Sequence, residues 1–296
     1  MKARSSENNF LGIEDPSLCS YEAARYVIQS APYEHTSSYL SGSDKGPQAI
    51  IEASHYVEFY DEELDQETFR SGGIATLDPI DFKGRVNKDA VELIEAETTK
   101  LINDGKFVIS LGAEHTVTFG FVRAHLKKYP NLSVLQIDAH SDLREAYHDN
   151  PYSHASVMAR VKDLGVKISQ AGIRAQCKEE SDEIKRNPSI KTAYAHQVKR
   201  DPNWMEELVD HLSDEVYVTI DADGFDPSIV PAVGTAEPNG LLWEEAMSLL
   251  ALCAKKKKIV GFDIVECAPM EGSILSEFTL AKALYRLLGY ITINKK

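Results

Sequence analysis

Apolar and polar positions follow two alternating patterns along most of the chain after residue 75. Short apolar runs bounded by turn residues are typical of buried strands, and apolar residues spaced three or four positions apart are typical of helices. The runs predict strands at residues 107–111, 132–137, 166–173, 192–195, 216–220 and 259–265. The helical spacing predicts helices at residues 89–103, 117–128, 156–164, 179–186, 202–212, 243–254 and 276–288. Asp201 and Pro202 are interpreted as the N-cap and first residue of one of these helices.

Strands that alternate with helices predict βαβ units and a mostly parallel sheet covered on both faces. The sequence therefore indicates a single-domain α/β fold with three layers, α/β/α, extending over residues 1–296. Residues 1–75 carry several turn signals, and we expect them to form an irregular N-terminal segment packed on this domain.

Composition and charge narrow the class of protein. The chain is 43% hydrophobic and 26% charged, which is ordinary for a globular protein with a sizeable core. Its formal net charge of −14 argues against a nucleic-acid partner or an anionic membrane surface. The N-terminus lacks the apolar region of a signal peptide, and the four cysteines form no C-x-x-C pair. We therefore expect a cytoplasmic enzyme without a disulfide scaffold.

Two acidic runs each follow a predicted buried strand. The run 138–142 reads Asp-Ala-His-Ser-Asp and follows the strand at 132–137, and the run 221–226 reads Asp-Ala-Asp-Gly-Phe-Asp and follows the strand at 216–220. Charged groups at the end of an apolar strand are costly to bury unless another charge compensates them. Since the carboxyl ends of parallel strands share one edge of a sheet, these runs predict a single metal site.

The spacing within the runs sets the geometry of that site. On an extended strand Asp138 and Asp142 would be roughly 13 Å apart, so the chain must turn after the strand to bring Asp142 back. Asp221 and Asp223, about 6.6 Å apart on the same rise, can reach one ion or flank two.

Each motif alone also has a structural interpretation, as a solvated loop, an Asp-rich turn or a buried histidine. Together they supply four carboxylates and two imidazoles, namely Asp138, Asp142, Asp221, Asp223, His115 and His140. This mixture favours Mn²⁺, or another hard-to-borderline ion, over structural zinc, and four carboxylates predict a pair of ions and metal-assisted hydrolysis.

The motifs also resemble those of the ureohydrolases, the arginase and agmatinase family. The resemblance rests on Gly112-Ala-Glu-His-Thr, on Asp138-Ala-His-Ser-Asp-Leu, on Asp221-Ala-Asp-Gly-Phe-Asp-Pro followed by Gly234-Thr-Ala-Glu-Pro, and on Asp263-Ile-Val-Glu. It implies an arginase-like fold and two Mn²⁺ per chain, with a bridging hydroxide that attacks the guanidinium carbon of a small cationic substrate.

The resemblance further implies a role for each site residue. His115, Asp138, Asp142 and Asp221 would hold one Mn²⁺, and the second would be held by Asp138, His140, Asp221 and Asp223. Glu266 would pair with the guanidinium, whose N–H groups suit a carboxylate acceptor. His154 would pass a proton to the leaving amine, because an imidazole titrates in the appropriate range.

The segment 143–153 separates members of the family. It lacks the Asn/Ser/Gly-rich pattern of arginases and looks like that of bacterial and archaeal agmatinases, which predicts hydrolysis of agmatine to putrescine and urea in polyamine biosynthesis. Glu145 and Asp149 are candidates for recognising the far amine of this substrate. Guanidinobutyrase, arginase and formimidoylglutamase activities remain alternatives. A metal-dependent deacetylase of similar fold and a catalytically silent relative are alternatives from other classes. The resemblance also suggests a homo-oligomer, a trimer or hexamer.

Overall fold

The strand–helix alternation builds one eight-stranded sheet in the computed structural model, which describes residues 1–294. The strands, numbered in chain order, are β1 (Tyr26–Ala31), β2 (Tyr60–Asp61), β3 (Gln66–Glu67), β4 (Ile74–Thr76), β5 (Phe107–Gly112), β6 (Ser133–Ile137), β7 (Lys167–Ile173), β8 (Ile190–Tyr194), β9 (Glu215–Asp221) and β10 (Lys258–Val265). The sheet has the order β4-β1-β5-β10-β9-β6-β7-β8, and all of its neighbouring strands run parallel. β2 and β3 form a separate antiparallel ribbon.

Helices cover both faces of this sheet. They are α1 (Pro16–Cys19), α2 (Gly46–Ser54), α3 (Asn87–Asn103), α4 (Val117–Leu126), α5 (Val157–Asp163), α6 (Lys178–Arg186), α7 (Ala195–Val198), α8 (Trp204–His211), α9 (Trp243–Lys256) and α10 (Leu275–Ile293). Apolar residues of α2, α8, α9 and α10 pack in one core, and those of α3, α4 and α5 pack in a second. The central strands are buried along almost their whole length, as expected for a parallel sheet between two helical layers. The predicted three-layer α/β/α fold is confirmed.

The structure contains regular elements within residues 1–75, where the sequence pattern predicted none. β1 lies between β4 and β5, inside the main sheet. Its apolar pattern is interrupted by Gln29 and Ser30, both buried. The Gln29 side chain is satisfied there because its Nε2 donates to Thr98 Oγ1 at 2.8 Å and Ser110 Oγ at 3.0 Å. A strand that contains buried polar side chains does not produce the continuous apolar run that predicts a buried strand.

The predicted start of the helix at residues 202–212 is wrong. α8 begins at Trp204 rather than at Pro202. The Asp201 carboxylate accepts a hydrogen bond from the Asn203 backbone N–H at 2.9 Å. Asp201 therefore closes a short turn before the helix instead of capping it.

Four adjacent strands of the sheet, β5, β10, β9 and β6, end at the same edge, and the predicted site residues follow them. Within residues 1–294, no helix is both long enough and apolar enough to cross a membrane. The predicted domain limits of 1–296 include Lys295 and Lys296, which lie outside the described residues, and these limits stay a prediction.

Candidate metal centre and active site

The predicted metal ligands come together at the carboxyl edge of the sheet, although they are far apart in sequence. β5, β6 and β9 each deliver part of the set. The structure brings together His115, Asp138, His140, Asp142, Asp221 and Asp223.

The first group surrounds the imidazole of His115. Its Nδ1 lies 3.1 Å from Asp138 Oδ2, 3.0 Å from Asp142 Oδ2 and 3.3 Å from Asp221 Oδ2. This nitrogen is buried and has no partner with hydrogen-bond geometry, although the three oxygens are close. Its other ring nitrogen, Nε2, is 2.9 Å from Thr219 Oγ1. A buried nitrogen that faces three carboxylates without a hydrogen bond is suited to coordinate a cation.

The second group is built around His140. Its Nδ1 lies 2.9 Å from Asp223 Oδ2 and 3.7 Å from Asp138 Oδ1. Asp138 thus offers one oxygen to each group, and in each group the candidate ligand atoms of three residues lie within 4.8 Å of one another. This arrangement fits a pair of divalent ions with Asp138 between them.

Backbone conformation creates this crowding. β6 ends at Ile137 and the chain then turns, with a positive φ of 53° at Asp142, so the predicted return of Asp142 toward the site is confirmed. Gly224 packs against this turn so closely that a Cβ there would lie 2.7 Å from the backbone nitrogen of Asp138. Backbone N–H groups fix two carboxylates, since Ala139 donates to Asp223 Oδ1 at 3.0 Å and His140 donates to Asp138 Oδ1 at 2.6 Å.

The electrostatics of the site also fit a cation. Burial raises the pKa of Asp138 to about 7, and the charges of Asp142 and Asp223 add to this effect. Burial and the charge of Asp223 raise the pKa of Asp221 well above its ordinary value. Burial opposes protonation of His140, but the Asp223 carboxylate outweighs it and raises the pKa of His140 to about 11. The carboxylates therefore repel one another in a buried site, and divalent ions would relieve that repulsion.

Thr219 and Asp263, which the sequence analysis did not assign to the site, hold the His115 imidazole on the side away from the aspartates. Thr219 Oγ1 donates to Asp263 Oδ1 at 2.6 Å while contacting His115 Nε2. Asp263 also accepts hydrogen bonds from Tyr217 and Thr118 and is fully buried. A carboxylate–hydroxyl–imidazole chain of this kind places the proton on Nε2 and leaves the Nδ1 lone pair for a metal. Asp263 lies in the motif that also carries Glu266, but its link to Thr219 has no signal in the sequence.

Five of the six candidate ligands, all except Asp138, line the floor of a cavity of about 200 Å³. Glu266 and His154, the two residues predicted to act on the substrate, both line it. Glu266 has a positive φ of 63° and its Oε1 accepts the His115 backbone N–H at 2.6 Å. Burial raises the pKa of Glu266 well above its ordinary value, although the His115 N–H lowers it. His154 Nδ1 lies 3.0 Å from Thr36 Oγ1, and the ring of Tyr147 packs edge-on against the imidazole.

The rim of the cavity differs from the sequence-based expectation. Glu145, a candidate for the substrate's far amine, pairs instead with Arg160 at 2.8 Å and Lys162 at 3.0 Å, and it does not line the cavity. Asp149 does not line it either. The segment 143–153 contributes Arg144 and Tyr147, and the N-terminal region contributes Ser37, Ser38, Tyr39 and Leu40. The sequence reading treated that N-terminal region as packing, so its contribution to the site was missed.

Comparison with known proteins places the chain in a family. A family model described as the arginase family matches residues 24–289. The chain belongs to the arginase family. An N(1)-aminopropylagmatine ureohydrolase of Synechocystis sp. is 39% identical over 284 residues, covering 94% of this chain and 92% of the relative. An agmatinase of Bacillus anthracis is 36% identical over 260 residues, covering 85% of this chain and 86% of the relative.

A solved structure, the agmatine ureohydrolase of Thermoplasma volcanium, superposes with a TM-score of 0.81 at 31% identity, covering 98% of this chain and 94% of that one. The chain is therefore a ureohydrolase of the arginase family, an enzyme class that acts on guanidino carbon–nitrogen bonds. The comparisons therefore support the ureohydrolase interpretation over the two alternatives from other classes, a metal-dependent deacetylase and a catalytically silent relative.

Proposed function

We propose that the protein is a Mn²⁺-dependent agmatinase, which hydrolyses agmatine to putrescine and urea. The observation that carries this proposal is the shared cavity, which Glu266 and His154 line together with two histidines and three aspartates of the candidate ligand set. The fourth aspartate, Asp138, is buried next to them. A floor of this kind suits a cation pair, and a carboxylate on the wall suits a guanidinium.

The donor set favours Mn²⁺, because oxygen ligands predominate over two imidazole nitrogens. One ion would be held by His115, Asp138, Asp142 and Asp221, and the other by Asp138, His140, Asp221 and Asp223. When bound, such a pair of ions would lower the pKa of a water molecule and would polarise the substrate group that this water attacks. The contacts of Asp138 with both histidines support its place between the ions.

Glu266 and His154 would divide the work on the substrate. The Oε1 of Glu266 is already held by the His115 N–H, so its second oxygen would accept an N–H of the guanidinium. The reaction adds water to the guanidinium carbon and breaks its bond to the alkyl nitrogen, which leaves as an amine and needs a proton. His154 would deliver that proton from Nε2, since its Nδ1 is occupied by Thr36.

A second candidate substrate is N1-aminopropylagmatine. The Synechocystis relative that carries this name is 39% identical, whereas the Bacillus anthracis agmatinase is 36% identical. Both substrates present the same guanidinium to the cavity floor, so the difference would arise at the rim, where Tyr39, Leu40 and Arg144 lie.

Urea release from the Mn²⁺-loaded protein tests the proposal. The substrate panel is agmatine, N1-aminopropylagmatine, arginine, guanidinobutyrate and formimidoylglutamate. We expect the highest kcat/KM with agmatine. Preference for another member would refute the substrate assignment and leave the hydrolytic chemistry standing, whereas no urea from any member would refute both.

Elemental analysis of the same preparation tests the cofactor. We expect two manganese ions per chain, and a single zinc ion would contradict the proposed centre. The remaining proposals are a cytoplasmic homo-oligomer, a trimer or hexamer, that binds neither nucleic acid nor membranes. Light scattering coupled to size-exclusion chromatography measures the oligomer directly.

A further inference from the structure

The hydroxyl of Thr36 lies between two groups that line or support the active site. Thr36 Oγ1 is 3.0 Å from His154 Nδ1 and 3.1 Å from Glu114 Oε1. The backbone N–H of His154 also points to this oxygen, at 3.1 Å. Thr36 belongs to the N-terminal region, 118 positions before His154. A single hydroxyl thus joins the N-terminal region, the end of β5 and the predicted proton shuttle.

The directions of these hydrogen bonds follow from counting donors and acceptors. A carboxylate only accepts, and a hydroxyl has one proton to donate and two lone pairs. The Thr36 proton therefore goes to Glu114, and the two lone pairs of the hydroxyl accept from His154. One accepted bond comes from the His154 backbone N–H, so the other comes from Nδ1–H. This arrangement uses the full hydrogen-bonding capacity of the hydroxyl.

We propose that Thr36, held by Glu114, is a positioning residue that keeps the proton of neutral His154 on Nδ1 and leaves Nε2 facing the cavity. The proposal rests on the proposed role of His154. With Nδ1–H fixed, the imidazole gains and releases its mobile proton at Nε2, on the side where the leaving amine would lie. With the Thr36 proton donated to Glu114, the alternative tautomer would place two lone pairs, those of Nδ1 and Thr36 Oγ1, against each other at 3.0 Å. It would leave Nδ1 only the longer contact with Ser153 Oγ, at 3.4 Å.

Glu114 makes Thr36 a rigid support. Glu114 is fully buried, and its Oε2 accepts the backbone N–H groups of His35 at 2.7 Å and Thr36 at 2.6 Å. Three hydrogen bonds from two consecutive residues thus fix Thr36 on one carboxylate. Replacing Glu114 would release the whole segment, so the test replaces Thr36, whose backbone N–H still binds Glu114 in any variant.

The kinetic test compares Thr36→Val with Thr36→Ser in the Mn²⁺-loaded full-length protein. Valine keeps the shape of threonine without the hydroxyl, and serine keeps the hydroxyl. We expect Thr36→Val to lower kcat by about 10- to 100-fold with KM within about 2-fold, since positioning a proton carrier affects the chemical step. Thr36→Ser should retain most of kcat. The matched control is Thr99→Val, whose hydroxyl donates to Glu95 O within α3, and it should leave kcat unchanged.

A double-mutant cycle shows whether Thr36 acts through His154. If it does, Thr36→Val should cost nothing further in a His154→Ala background, because the group that it positions is gone. Independent, multiplicative losses would overturn the proposal, as would wild-type kcat in Thr36→Val or failure of Thr36→Ser to restore it. Full activity of His154→Ala would overturn the proposed role of His154 and this inference together. A loss in His154→Ala without one in Thr36→Val would overturn the inference alone.

A spectroscopic measurement gives the same answer without turnover. Long-range ¹H–¹⁵N correlation of ¹⁵N-histidine protein, with Mg²⁺ in place of paramagnetic Mn²⁺, reports the tautomer of each neutral ring, and His154→Gln assigns the signal. We expect the Nδ1–H tautomer in the wild type and a mixture in Thr36→Val. An Nε2–H tautomer in the wild type would overturn the proposal even if no substrate in the panel releases urea.

Discussion

In the metal-free protein, the effect of Asp138→Asn on the free energy of unfolding should depend on pH. The substitution should destabilise the protein at acidic pH and should not destabilise it at alkaline pH. Asp138 is fully buried and lies in both ligand groups. Burial, with the charges of Asp142 and Asp223, raises the pKa of its carboxyl to about 7 from an ordinary value of 3.8. The folded-state pKa is above the unfolded one, so the free energy of unfolding is undiminished below about pH 4 and falls as the pH rises to about 7.

The size of this loss follows from the pKa difference. Three pH units at about 1.4 kcal/mol each correspond to about 4 kcal/mol. Asparagine carries no charge and escapes this loss. It also loses an acceptor, since Oδ1 and Oδ2 of Asp138 accept from His140 N–H and Gln136 Nε2–H, which costs on the order of 1–3 kcal/mol at any pH. The variant should therefore be less stable than the wild type at pH 4 and as stable or more stable at pH 8.

Urea denaturation of the metal-free proteins at several pH values between 4 and 8 measures this difference. The wild type should gain at least about 3 kcal/mol from Mn²⁺ at a hundredfold excess over Kd, and Asp138→Asn should gain far less and have no urea-releasing activity. Asp89→Asn, at an exposed position of α3, is the matched control. The electrostatic argument fails if the stability difference between Asp138→Asn and wild type is constant across the pH range. Equal stabilisation by Mn²⁺ would rule out Asp138 as a shared ligand.

Three further substitutions test other parts of the site. Thr219→Val, which removes the hydroxyl between His115 and Asp263, should weaken Mn²⁺ binding about 10- to 100-fold in a metal titration; unchanged affinity would remove Thr219 from the metal support. Glu266→Gln should keep two manganese ions and lose most of kcat/KM for agmatine; full turnover would contradict its guanidinium contact. Gly224→Ala places a Cβ 2.7 Å from Asp138 N, so thermal unfolding should show a loss of about 1–3 kcal/mol; an unchanged Tm would show that the turn adjusts freely.

The fold and the floor of the site could be predicted from sequence because their signals are local. Each apolar run that formed a central strand was followed within a few residues by aspartate, glutamate or histidine, and parallel strands collect such residues at one edge. The same logic failed for β1, whose buried Gln29 and Ser30 break the apolar run. It also failed for Glu145, because a loop acid in sequence gives no sign that Arg160 and Lys162 will pair with it.

The contribution of the N-terminal region to the site could not be predicted for a different reason. It depends on Glu114, the residue just before His115, and on a contact between segments that are far apart in sequence. Glu114 and His115 are consecutive, but their side chains serve different parts of the molecule: His115 faces the aspartates, and Glu114 binds the backbone of His35 and Thr36. The Glu114–Thr36 contact spans 78 positions, so neither periodicity nor motif spacing records it. One peptide bond nevertheless separates the metal-ligand candidate from the anchor of the N-terminal region. Since backbone geometry fixes neighbouring Cα atoms at 3.8 Å, Glu114, whose carboxylate holds Thr36, stays at a fixed backbone distance from the candidate metal ligand His115.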